Sequence, residues 1–247
     1  MSERARSIAP RTRLAIIRHG EAVSNAEDTV AGHGTCLGLT PHGRRQVEAL
    51  AARLRRTGEL DGAAALYTSV LPRAIETAEI LAPALGGLAI ERTCDLCERH
   101  VGEADGLAWS EYEARYGREI PGVDDHREFS PGGESWAGFL DRAAAAMCAV
   151  MERHPSKLVV IAGHGGLIGA SVIRFLELPA NGAGFRGYAD NSSITEWEWT
   201  GERWWFVRYN DAAHLDAAGW GPEVGLRLAP PGWVSGEGSP APAGQQA

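Results

Sequence analysis

Two short apolar runs constrain this chain more than any other feature. "LAII" (Leu14–Ile17) and "LVVIA" (Leu158–Ala162) are partly β-branched and too brief for helices, so they read as buried strands. The first runs into Arg18-His19-Gly20, the second through Gly163 into His164-Gly165-Gly166. A core strand that ends in histidine and glycine delivers an imidazole to a sheet edge. If the two strands lie side by side, both histidines stand over one crevice.

The residues between them alternate helical and extended signals. In "LTPHGRRQVEALAARLRR", Thr40 is a helix N-cap and Pro41 sits at the first helical position, with Val47, Leu50, Ala51 and Leu54 on one face. "AALYTS" reads as a strand, and a helix from Pro72 to about Leu85 puts Ala74, Ala78 and Leu81 along its inner side. Residues 86–131 read as mostly irregular, with one short helix near Trp109–Tyr116. A helix over about 135–153 precedes the strand "KLVVIAG", and another over about 166–176 follows it. "SITEWEWTGERWWFVRYN" predicts a hairpin turning at Thr200-Gly201, its tryptophans paired across strands.

Strands alternating with helices imply an α/β fold: a three-layer sandwich with a mostly parallel central sheet and helices on both faces. Ligands of such sheets bind beyond the carboxyl ends of the strands. The expected organisation is a flexible arm over 1–12, one domain over 13–228 with a cap insertion at about 99–131, and a disordered tail rich in Pro, Gly and Ala over 229–247.

Composition narrows the function classes. A formal charge of −8 opposes nucleic acid or an anionic membrane as partner, since both demand a basic field. No apolar run spans a membrane, which makes the cytoplasm the expected location. Cys94 and Cys97 form one C-x-x-C, but no second pair or nearby histidine set completes a zinc site. All four cysteines therefore read as reduced thiols of core or loop.

Arg73, in the first turn of the helix after "AALYTS", lies where free N–H groups and the helix dipole favour an anion. Arg18, Arg73, His19, His164 and that helix start together form a donor-rich site for a phosphoryl group. Nearby arginine charge disfavours the imidazolium, so His19 is expected to be neutral and nucleophilic. Gly20 is expected to let the backbone approach the ligand closely.

With these residues assembled, the chain resembles the histidine phosphatase superfamily, in the branch of cofactor-dependent phosphoglycerate mutases and fructose-bisphosphatase-like and broad-specificity phosphatases. The resemblance runs from Leu14 to about Leu215 through "RHGEAVSN", "LTPHGRRQ", "SVLPRAIETA", "LCERHVGEADG", "GGES", "GHGG" and "DNSSITEWE", in that order. It implies a phosphoglycerate mutase-like fold. His19 would be the nucleophile that becomes a phosphohistidine. Arg18, Arg73 and His164 would hold the phosphoryl oxygens, assisted by Gly20, Asn25, Arg99 and Gly165. Glu98 would be the general acid, with Glu103 and Asp105 as nearby rivals. His100, echoing the "E-R-H" of the mutases, is a candidate pocket residue.

No metal ligand and no cofactor are implied. The partner is a small phosphorylated substrate, and the oligomeric state stays open, a dimer among the options. Ala22, Cys36 and Val70 depart from the family's frequent threonine, aspartate and proline, and are expected to leave the phosphate donors untouched. Acidic residues outnumber arginines over 102–131, and the basic, proline-rich segment of the mutases is missing. Hydrolysis of a small metabolite's phosphomonoester is therefore the expected reaction. Mutase-type phosphoryl transfer, or a silent member that binds a phospho-ligand or protein, are the alternatives.

Overall fold

The computed structural model describes residues 11–119, 123–182 and 187–220. The strands are β1 (Thr12–Arg18), β2 (Ala63–Thr68), β3 (Ile90–Arg92), β4 (Leu158–Gly163), β5 (Ile194–Trp199) and β6 (Trp204–Asp211). They form one sheet in the order β3-β2-β4-β1-β5-β6. The first four run parallel, and the β5–β6 hairpin adds to β1 antiparallel. The central sheet is thus mostly parallel, as the alternating pattern requires.

The helices are α1 (Val23–Ala26), α2 (Pro41–Thr57), α3 (Pro72–Leu81), α4 (Trp109–Tyr116), α5 (Trp136–Glu152), α6 (Gly165–Phe175) and α7 (Ala213–Ala217). Successive strand residues point to opposite faces, and the core divides accordingly. Leu14, Ile16, Val159, Ile161 and Trp197 pack with α5 and α6. Ala15, Ile17, Val160, Ala162 and Ile194 pack with α2 and α3. Those two cores make the three layers. A smaller cluster of Val30, Ala104, Tyr112 and Phe129 holds the cap together.

Local chemistry sets the boundaries. Thr40 accepts from the Gly43 N–H at 2.9 Å and so caps α2. Ser135 does the same for α5 through Gly138 at 3.1 Å. Gly58, in the left-handed region at φ 66°, ends α2. The third helix is shorter than its apolar pattern suggests: it tightens into a 3₁₀ turn over Ala82–Leu85. The edge strand β3, two of whose three residues are exposed, lies in a stretch expected to be irregular. Its side chains alternate too briefly to give a pattern, and pairing with β2 makes it a strand.

The arm is also shorter than expected. Thr12 already pairs with Trp199, and Arg11 reaches Glu198. The rest of the arm, residues 221–228 of the expected domain and the 229–247 tail lie outside the described residues. The hairpin turns at the expected place, with Trp197 fully buried against Phe206 and Trp204 stacked on Phe175. Trp205 pairs across the hairpin with Glu198 but is exposed, because its side of the edge strand faces solvent. Among the described residues no helix is long and apolar enough to cross a membrane.

Candidate active site

Strands β1 and β4 are neighbours, with Arg18 opposite Gly163. Register therefore brings His19 beside His164, ring centroids 5.4 Å apart. The backbone of 190–193 fixes this strand end: Arg18 N–H donates to Ser193 O at 3.1 Å, and Ser192 N–H and Asn191 Nδ2 both reach His19 O at 3.2 Å. The chain order reverses at this crevice, since β4 inserts between β1 and β2.

His19 is buried, and its Nδ1 lies 2.7 Å from Gly20 O. A carbonyl only accepts, so Nδ1 carries the proton and Nε2 keeps its lone pair. Burial drives the His19 pKa well below its ordinary value, with Arg73 and then Arg18 adding to the effect. The imidazole is neutral as expected, but desolvation, not the adjacent arginine, is the main cause.

His164 is fully buried and its pKa is likewise pushed well down, by burial first and then by Arg73. Its Nε2 lies 2.8 Å from Ser69 Oγ, which also accepts the Leu71 N–H at 3.2 Å. That hydroxyl proton is placed to donate into Nε2, leaving the ring proton on Nδ1, which has no partner among the described residues. Ser69 lies inside "SVLPRAIETA", where only Arg73 stands out as a chemical residue.

Arg73, at the N-terminus of α3, is buried beside both histidines. Its Nη1 donates to Ala31 O at 3.1 Å and to Cys36 Sγ at 3.2 Å. Cys36, expected to leave the donors untouched, therefore contacts one of them directly. Arg18 donates from Nη1 to Ala189 O, and its buried Nε has no partner among the described residues. An orphaned guanidinium N–H and an orphaned imidazole Nδ1 in one buried cluster are the unmet donors an oxyanion satisfies.

Glu98 packs against the start of α6, beside the His164 turn. Its Oε2 accepts the Gly166 N–H at 2.9 Å in the first turn of α6, two residues past His164, and Oε1 accepts Arg99 N–H at 3.1 Å. A Cβ on Gly166 would sit 2.8 Å from Glu98 Cδ, so only glycine admits the carboxylate here. Asn25 Oδ1 holds the Ala22 N–H at 3.0 Å and leaves the amide nitrogen as the donating group. Gly165 opens α6 with ordinary clearance from Arg18.

Three expectations are corrected. Arg99 does not join the site: its guanidinium makes a bidentate pair with Glu119 at 2.6 and 2.7 Å, donates to Glu134 O at 2.9 Å and lies over Phe129. With its donors committed, it holds the cap instead of substrate. Gly20 is required by packing, because a Cβ there would stand 2.8 Å from Val47 Cγ2 and closer still to Gly43 O of α2. Asp105, a rival for the acid role, is taken up by the N–H groups of Gly32 and Gly34, each at 2.7 Å.

The segment that carries Glu98 is anchored from α5. Arg142 donates to the carbonyls of Asp95 at 2.8 Å, Cys97 at 3.2 Å and Glu98 at 3.3 Å, and pairs with Glu134 at 2.7 Å. Glu134 in turn accepts the His100 N–H at 2.9 Å. Sequence reasoning missed Arg142, and "GGES" marks only its partner. His100 itself stands beside Cys94, Cys97 and His33, which corrects the expectation that no histidine set accompanies the C-x-x-C.

Residues 14–212 match the family model described as "Histidine phosphatase superfamily (branch 1)". The chain belongs to the histidine phosphatase superfamily. Within it, the chain is 30% identical over 211 residues to "Phosphoglycerate mutase-like protein 4" of Arabidopsis thaliana, covering 83% of this chain and 88% of that protein. It is 29% identical to "Metal-independent phosphoserine phosphatase" of the same plant, over 84% of this chain and 85% of the relative. Among solved structures, it superposes on a mycobacterial glucosyl-3-phosphoglycerate phosphatase complexed with VO3. The TM-score is 0.66 at 28% identity, over 81% of this chain and 99% of that one. The chain is accordingly a phosphoric monoester hydrolase of this superfamily.

Proposed function

We propose that the protein hydrolyses the phosphomonoester of a small metabolite through a phosphohistidine on His19 Nε2. The observation that carries this is the neutral, buried imidazole whose Nδ1–H is tied to Gly20 O, leaving Nε2 as the one free nucleophilic atom between two arginines. In the first step the Nε2 lone pair forms the N–P bond as the P–O bond to the leaving group breaks. The Glu98 carboxyl gives its proton to the departing oxygen. Arg18, Arg73 and His164 Nδ1–H take up charge on the nonbridging oxygens. In the second step Glu98 removes a proton from water, the water oxygen bonds to phosphorus and the N–P bond breaks, restoring neutral His19.

Hydrolysis is favoured over mutase transfer by Arg99. The counterpart that contacts substrate in mutases is here closed on Glu119, so the second charged end of a mutase substrate loses its cation. The same reading carries a cytoplasmic location, in keeping with four free cysteines, and no nucleic-acid partner, in keeping with the net charge of −8.

The test is rapid quench with a substrate labelled in its phosphoryl group. An acid-labile, base-stable phosphoenzyme should form in the wild type and be missing in His19→Ala. Net inversion at a chiral, isotopically labelled phosphorus would refute the covalent route, since two displacements give retention. A panel headed by phosphoserine and glucosyl-3-phosphoglycerate, ranked by kcat/KM, identifies the leaving group.

A further inference from the structure

Four soft ligands from two distant segments converge beside the acid loop. Cys94, Cys97, His100 and His33 place one ligand atom each within 4.8 Å of all the others. His33 Nε2 lies 3.3 Å from Cys94 Sγ and 3.6 Å from Cys97 Sγ, and His100 Nε2 lies 3.6 Å from Cys94 Sγ. Zinc bonds of about 2.3 Å to sulfur and about 2.0–2.1 Å to nitrogen, at tetrahedral angles, put sulfur and nitrogen about 3.6 Å apart. Two of the three separations have that length before any ion is added, and the third is 0.3 Å shorter. One cation can take a lone pair from each of the four residues at once.

The geometry points to a structural zinc(II) site of two thiolates and two imidazoles at Cys94, Cys97, His33 and His100. This donor set selects zinc among common cations, since hard cations prefer oxygen. The spacing has a cause: Cys94–Leu96 is a 3₁₀ turn closed by Cys97 N–H to Cys94 O at 2.9 Å, and such a turn eclipses residues three apart, bringing both sulfurs to one side.

The surroundings are those of a ligand set. The Glu134 carboxylate lies 3.7 Å from His100 Nδ1, on the ring nitrogen that faces away from the sulfur, as carboxylates do behind metal-bound histidine. Arg142 grips the carbonyls of the cysteine turn, and the Val70 N–H bonds Cys97 Sγ. Asp105 fixes the loop of His33 through Gly32, Gly34 and Thr35. A surface cleft of about 310 Å³ lined by His33, His100 and Asp105 gives an ion its way in.

The site shares no residue with the phosphoryl donors, so it does not enter the chemistry of the phosphorus. It ties the loop of residues 26–39 to the segment that carries Glu98. Binding displaces the two thiol protons and adds to folding stability.

The test uses the full chain, stripped with chelator under a phosphine reductant and titrated with cobalt(II), then zinc(II). About one cobalt per chain should bind, with thiolate-to-cobalt charge transfer and tetrahedral visible bands that zinc abolishes. Zinc should also shield two of the four thiols, Cys94 and Cys97, from alkylation while Cys36 and Cys148 still react. Cys97 is buried, so its substitution can disturb folding; His33 is exposed, and His33→Ala should keep the wild-type far-UV spectrum while weakening cobalt by about tenfold or more. A wild type without charge-transfer bands, or cobalt binding undiminished in both His33→Ala and Cys94→Ser, overturns the site. These readouts are independent of turnover, so they stand or fall apart from the phosphatase reading.

Discussion

Gly166→Ala is the sharpest probe of Glu98, because it shifts the carboxylate without replacing any catalytic residue. The new Cβ would stand 2.8 Å from both Glu98 Cδ and Phe139 Cζ, and closer still to Glu98 Oε1. Phe139 is a fully buried core ring and yields little, so the carboxylate must move. Reaching ordinary carbon contact at about 3.5–4.0 Å requires a displacement of about 1 Å. That movement breaks the 2.9 Å bond from Gly166 N–H that holds the carboxylate in place. A misplacement of about 1 Å typically lowers catalysis by about 100-fold. A general acid matters most when the leaving oxygen is basic, so the loss should be about 100-fold for an alkyl phosphate and far smaller for an activated aryl phosphate. The assay is kcat/KM across a series of leaving-group basicities, with circular dichroism confirming the fold. Glu98→Gln combined with Gly166→Ala should lose little more than Glu98→Gln alone, since both remove one function. Equal losses on aryl and alkyl substrates, or additive losses in the double variant, would refute the assignment.

Arg18→Ala and Arg73→Ala should each cost about 3–4 kcal/mol of transition-state stabilisation, the scale of losing one oxyanion donor, and a loss below about tenfold in kcat/KM contradicts their roles. Ser69→Ala removes the hydroxyl that sets the His164 tautomer and strips the Leu71 N–H of its side-chain partner; stability should fall by about 1–3 kcal/mol in urea titration, with a lower kcat. His214, held to about 4 chiefly by burial, is neutral in the fold but protonates near 6.5 when unfolded. The unfolded chain then binds more protons below pH 6.5, so stability falls as pH drops from about 6.5 to 4, by about 3 kcal/mol from this residue. His19 and His164, whose pKa values burial also lowers, act in the same direction. Urea midpoints measured across that range should show the decline, and His214→Gln should flatten it.

Most of the framework was legible in the sequence because it rests on local rules. Thr40 with Pro41 starts α2, the alternation in Leu14–Ile17 serves two cores, and β-branched runs ending in His-Gly place both imidazoles at strand ends. The first two members of the site, Arg18 and His19, follow from β1 alone. His164 joins them because parallel pairing of β1 with β4 sets Arg18 against Gly163. Edge strand β3 was hidden because three residues carry too little alternation to mark a strand.

What tertiary structure decided is how each long side chain spends its donors, and which loops meet. Arg99 carries the same guanidinium whether it binds substrate or Glu119, and only the folded cap selects Glu119. Gly20 appears suited to a ligand until α2 crosses within contact of its missing Cβ. The C-x-x-C looks incomplete in the sequence because one histidine follows at the same three-residue spacing while the other lies 61 residues before Cys94. Local propensity and periodicity act over a few residues and are written in the chain directly. Meetings between distant loops depend on the closure of the whole sheet, and no short stretch of sequence contains that information.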